Sequence, residues 1–132
     1  MKKIAVALVV LVFVLTNPLL AQSLNCKQFK NGTFETTYRG KTTVIKRSDS
    51  TQVEYVKNSR IVVSFVVKWV DDCTYTLKPN QDYFNEFVDL PHNMLLTVGM
   101  SKLTENSYMQ TTTSNYSPVV LTTKVIKVPG LL

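Results

Sequence analysis

From residue 24 onward the chain alternates apolar and polar residues with a period of two, and no sustained helical period appears. That pattern restricts the chain to β structure with one buried face. The clearest run is Arg60–Val70, where Ile61, Val63, Phe65, Val67 and Trp69 form one face and Ser64 and Lys68 lie on the other. Strands are expected at Thr33–Tyr38, Lys41–Arg47, Gln52–Val56, Arg60–Val70, Cys73–Leu77, Met94–Lys102, Ser107–Thr113 and Val119–Lys127. Between them stand Arg39-Gly40, Ser48-Asp49-Ser50, Asn58-Ser59, Asp71-Asp72 and Glu105-Asn106. Glycine tolerates positive φ, and Asx and Ser side chains satisfy local amides, so these are hairpin turns. The expected fold is all-β: an antiparallel up-and-down meander of about eight strands, closed or partly closed as a barrel. A two-sheet sandwich is the alternative.

The segment Pro79–Asn93 is too long for a hairpin turn. Asn80 is placed to cap a short helix near residues 81–88, with Tyr83, Phe84, Phe87 and Val88 on one side and Asp82 and Glu86 towards water. It is read as a cover over an open sheet edge, or as a lid on a ligand site.

The N-terminus reads differently. Lys2 and Lys3 precede a 12-residue apolar run, Ile4–Leu15, followed by Asn17-Pro18 and the small-residue stretch Ala21-Gln22-Ser23. A charged start, a short apolar helix and an A-x-S end make a secretory signal peptide over 1–23, cleaved after Ala21 or Ser23. The run falls short of the roughly 20 residues that span a bilayer, so no stable membrane span is expected after cleavage. Lipid attachment at Cys26 is disfavoured by the bulky, polar Asn25 before it. One β-barrel-like domain, 24–132, remains, exported to a periplasmic or extracellular space.

Export gives Cys26 and Cys73 their meaning: an even pair in an oxidising compartment reads as a disulfide. The meander supports the pairing. Connections alternate between the two ends, and both cysteines fall at the same end, the base. The same parity puts Arg39, Lys41, Lys57 and Arg60 at the top with the Pro79–Asn93 segment, and Asp49, Asp71, Asp72 and Glu105 at the base. A basic rim beside an aromatic flap suits a mouth that attracts an anionic amphiphile. The expected ligand-binding residues are Arg39 and Arg60 at the rim, Tyr83 and Phe84 in the flap, and Phe65, Val67 and Trp69 along the interior.

Several chemistries are excluded. The single histidine, His92, stands alone in the irregular segment, and an acid–base enzyme needs grouped titratable residues. No nucleophile elbow, zinc-binding helix or phosphate-cradling glycine loop is present, and the chain has only 4 glycines. Neither a cofactor nor a metal is expected. The net charge of +6 falls to +4 without Lys2 and Lys3, and the bases are scattered, so nucleic acid is not an expected partner.

Cys26-Lys27-Gln28-Phe29-Lys30-Asn31-Gly32-Thr33-Phe34 fits a C-x-x-F-K-x-G-x-F pattern, and Lys68-Trp69-Val70-Asp71-Asp72-Cys73-Thr74-Tyr75 continues the match, with Arg47 and Gln52-Val53-Glu54 between. This stretch resembles a functionally uncharacterised family of small secreted bacterial proteins. Some members carry a DNA topoisomerase IV label, which a short exported chain without a nucleotide site does not support. Gly32-x-Phe34 also resembles the opening of lipocalin-like barrels, whose signature has Trp where Phe34 stands; the resemblance implies architecture only. The expected function is non-enzymatic binding of a small apolar or anionic amphiphilic ligand. The alternative is an envelope-associated interaction module with a filled core, of which a lysozyme inhibitor is one version. The sequence leaves the oligomeric state open.

Overall fold

The computed structural model describes residues 24–130; the expected signal peptide lies outside them. Eight strands, β1 (Gly32–Tyr38), β2 (Lys41–Arg47), β3 (Thr51–Val56), β4 (Val62–Asp71), β5 (Thr74–Pro79), β6 (Leu96–Ser101), β7 (Ser107–Ser114) and β8 (Leu121–Val128), follow one another in chain order. They form a closed antiparallel barrel in which β1 also pairs with β8, from Thr33↔Val128 to Thr36↔Val125. Closure rules out the sandwich and removes the sheet edges that an open meander would expose. One short helix, α1 (Gln81–Glu86), interrupts the meander. Among the described residues no helix is long and apolar enough to cross a membrane.

The strand ends differ from the sequence expectation where side chains or turns claim backbone amides. The Ile61 amide donates to Ser59 Oγ, and β4 begins at Val62, two residues later than expected. Asp71 Oδ1 takes the Cys73 amide, so β5 starts at Thr74. The Met94 amide donates to the Pro91 carbonyl and that of Leu95 to Asn115 Oδ1, which delays β6 to Leu96. The Val119 amide donates to Ser117 Oγ, and β8 starts at Leu121. The β1–β2 turn is a tight one: Arg39 and Gly40 both have positive φ, 51° and 79°, which matches the twist of a two-residue hairpin.

A 3-10 turn, Cys26–Phe29, closes the base. Its Phe29 is fully buried against Phe34 and Tyr108, at centroid distances of 6.3 and 5.0 Å. Cys26 is bonded to Cys73, which ties this plug to the β4–β5 turn as the strand parity requires. Gly32, at φ 139°, lets the chain leave the plug and enter β1. A Cβ there would meet Lys127 Cε at 2.9 Å, and Lys127 reaches past to donate to the Gln28 carbonyl.

At the other end, Pro79 cannot donate an amide and ends β5. The chain then crosses β4: the Asn80 amide donates to the Ser64 carbonyl, and Asp82 accepts from the Ser64 amide and hydroxyl at 3.0 and 2.7 Å. Asp82 is therefore turned to the sheet and not to water. Its carboxylate replaces the strand that β4 lacks there. Asn80 sits at the N-cap position as expected, but its side chain bonds Ser64 Oγ instead of the helix. Val88 is 71% exposed and does not join the packed side of the segment.

Candidate functional site

The barrel interior is divided by the direction of its side chains. Phe34, Ile45, Phe65, Val67, Tyr75, Leu77, Val98 and Tyr108 form one buried core. Arg47 enters this core at the base end of β2 and is 4% exposed. Its Nε donates to Gln52 Oε1, Nη1 to the Phe29 carbonyl, and Nη2 to the hydroxyls of Tyr75 and Tyr108, at 2.7–2.9 Å. The guanidinium also lies over Phe34 and Tyr75, 4.6 and 4.7 Å from the ring centroids. A buried cation is tolerated only when its donors are used, and here four hydrogen-bond partners and two ring faces surround it. The arrangement joins β1, β2, β3, β5, β7 and the 3-10 plug through one side chain, and it fills the lower half of the barrel.

Above Arg47 lies a cavity of about 290 Å³. Ile45, Phe65, Leu77, Leu96, Val98 and Leu121 supply apolar wall. Thr36, Thr43, Thr112 and Thr123 supply hydroxyls, Tyr38 and Tyr83 stand in the lining, and Glu54 and Gln110 bring a carboxyl and an amide. Eight strands leave room for one small ligand, and this volume sits near the lower limit of small-molecule sites.

Glu54 is the lining's one ordinarily charged group. It accepts from Gln52 Nε2 at 2.6 Å, and Gln52 in turn accepts from Arg47, so the acid reaches the guanidinium through an amide. Burial raises the Glu54 pKa; the Gln52 hydrogen bond and the Arg47 charge pull against this without cancelling it. Burial also lifts the Tyr75 hydroxyl well above the ordinary tyrosine range, which keeps it protonated as a relay between Arg47 and Gln110.

The expected ligand residues separate into three groups. Phe65 and Tyr83 meet in the cavity wall, 5.3 Å apart. Val67, Trp69 and Phe84 do not line it. Val67 is core below the cavity. Trp69 lies at the base, its ring tilted against Tyr75 with centroids 4.7 Å apart and Lys30 Nζ 4.8 Å from its ring centroid; its buried Nε1 has no partner among the described residues. Phe84 is buried beneath His92, ring centroids 4.5 Å apart. Arg39 and Arg60 are exposed in the top turns, as expected, but outside the lining; Arg39 lies over Tyr38 at 5.2 Å, and Tyr38 does line it. Lys57, in the same rim, is paired with Glu35 at 3.0 Å.

Sequence reasoning missed Glu54, Gln110 and the site role of Arg47. Arg47 could have been found by counting in twos from Ile45. Glu54 could not, because β3 inverts the usual sorting: Gln52 and Glu54 point inward while Val53 and Tyr55 point out, a direction dictated by the pairs Arg47↔Gln52 and Ile45↔Glu54. No group of three potential metal ligands occurs among the described residues. Comparison with family models, curated proteins and solved structures found no match.

Proposed function

We propose that this chain is an exported, non-enzymatic barrel protein that takes up one small, largely apolar ligand. The observation that carries the reading is the division of the interior: the base half is filled by Arg47 and its aromatic partners, and the top half is a lined cavity. A barrel built only for stability gains by filling both halves. The Cys26–Cys73 bond suits an oxidising compartment. Tyr83, carried on α1, gives the mouth an aromatic flap that packs on Phe65.

The test is titration with N-phenyl-1-naphthylamine, an apolar fluorophore, in wild type and Thr112→Phe. Saturable one-to-one binding is expected, weakened about tenfold or more when the added ring occupies the cavity. Absence of saturable binding to wild type refutes the reading. A second reading, an envelope-associated interaction module, is favoured by one observation: Val88, Val119 and Val120 are 71%, 67% and 59% exposed. It predicts that Val119→Asp with Val120→Asp abolishes cross-linking to an envelope protein in cells. Unchanged cross-linking contradicts it.

A further inference from the structure

The hydrogen-bond order in the barrel runs in one direction, and its end defines what the cavity floor offers. Arg47 has no acceptor atoms, so every bond it makes points away from it. Along one branch Arg47 Nε donates to Gln52 Oε1, and Gln52 Nε2 donates to Glu54 Oε2. That branch ends on the Glu54 carboxylate, and Glu54 is part of the cavity lining. Along the other, Arg47 Nη2 donates to the Tyr75 hydroxyl, which passes its own proton towards Gln110 Oε1 at 3.5 Å. That branch fixes the Gln110 amide with its oxygen towards Tyr75 and leaves Nε2 as its donor end. Beside the threonine and tyrosine hydroxyls, the lining thus presents one carboxylate acceptor, Glu54, and one amide donor, Gln110, set in apolar wall.

Charge gives the second constraint. The ionisable groups around Glu54 are Arg47 on β2, Tyr75 on β5 and Tyr83 on α1; on β4 it faces the apolar Val63. With Glu54 ionised, the Arg47 and Glu54 charges cancel, and four of the five guanidinium N–H donors are already committed to protein acceptors. An anionic head at the floor would meet a carboxylate at close range and find no free cation. Arg39 and Arg60 stand outside the lining and cannot serve there.

We infer that the cavity selects a small, mainly apolar molecule whose polar end is a neutral hydroxyl, donating to Glu54 and accepting from Gln110, over one with an anionic head. The inference rests on the carrier reading above and narrows it. Protonation of Glu54 removes the acceptor's charge and leaves that of Arg47 uncompensated, so discrimination against anions weakens in acid.

The experiment is displacement of N-phenyl-1-naphthylamine by 1-octanol and by octyl sulfate, an anion that keeps its charge in acid. In wild type near pH 7, octanol is expected to compete about tenfold or more better than octyl sulfate, since a like charge is unpaired there. Glu54→Gln keeps shape while removing the charge, and is expected to narrow the difference to about threefold. Acidifying wild type to about pH 4 narrows it too, and that arm needs no variant. Octyl sulfate equalling octanol in wild type at neutral pH overturns the inference, as does a difference unmoved by both the variant and acid. If the fluorophore binds and neither competitor displaces it, the inference fails and the carrier reading stands. Failure of the fluorophore itself removes both.

Discussion

Arg47 has no carboxylate in direct contact, so its burial depends on four polar partners and two ring faces. Arg47→Lys retains the charge but loses the planar fork that reaches Gln52, Phe29, Tyr75 and Tyr108 together. The expected loss is about 3 kcal/mol or more in urea denaturation, the range for breaking a buried ionic network. Glu54 acts in the opposite sense. Its folded-state pKa lies above the ordinary 4.5 because burial disfavours the anion. The folded protein therefore keeps that proton to higher pH than the unfolded chain does. The resulting penalty on folding is absent below 4.5, grows as pH rises through the raised value, and is complete above it. Glu54→Gln is accordingly expected to be more stable than wild type near pH 7 and no more stable near pH 4, as thermal melts at the two pH values would read. A greater stability gain in acid than at neutrality contradicts this. Both residues are polar side chains on the buried face and so escape a reading by hydrophobicity; counting in twos from Ile45 reaches Arg47, whereas only strand register reveals where Glu54 points.

At the scale of elements, α1 shows why a helix this short persists. Six residues make a poor helix in isolation, since nucleation outweighs propagation at that length. The Asp82 carboxylate on Ser64 and the Tyr83 ring on Phe65 fasten it to β4. Asp82→Ala strands the Ser64 amide and is expected to destabilise the protein by about 1–3 kcal/mol. Hydrogen exchange gives a sharper sign: protection lost at Ser64 and across 80–88, with β1, β2 and the base unchanged. Uniform loss across the barrel contradicts a local role. The helix and its aromatic residues were legible in the broken strand rhythm. The inward turn of Asp82 was not, because it depends on β5 stopping at Pro79 and leaving β4 without a neighbour. Strand β2 was legible to the residue; β4, β6 and β8 begin two residues later than their composition suggests, where Ser59, Asn115 and Ser117 side chains, with the Pro91 turn, draw amides out of the ladder.

For the whole molecule, alternation and turn spacing predict eight strands in order, and strand parity alone puts Cys26 and Cys73 at one end. Closure of β8 on β1 was not determined by the pattern, since an open meander has the same periodicity. The disulfide spans 47 residues, so its loss is expected to reduce stability by about 4 kcal/mol in the chain-entropy view. Cys26→Ser with Cys73→Ser should lower the urea midpoint by that equivalent while leaving the cavity's ligand preference intact. A lost preference in a folded double variant would mean that the plug shapes the cavity floor directly. The central claim is the division of the barrel into a filled base and a receptive top. Amide chemical-shift mapping during titration with N-phenyl-1-naphthylamine tests it most directly. The account predicts perturbations at Thr36, Ile45, Glu54, Phe65, Val98 and Thr112, with Phe29, Trp69 and Tyr108 unmoved. Perturbations confined to the outer surface or centred on the Phe29 plug would contradict it.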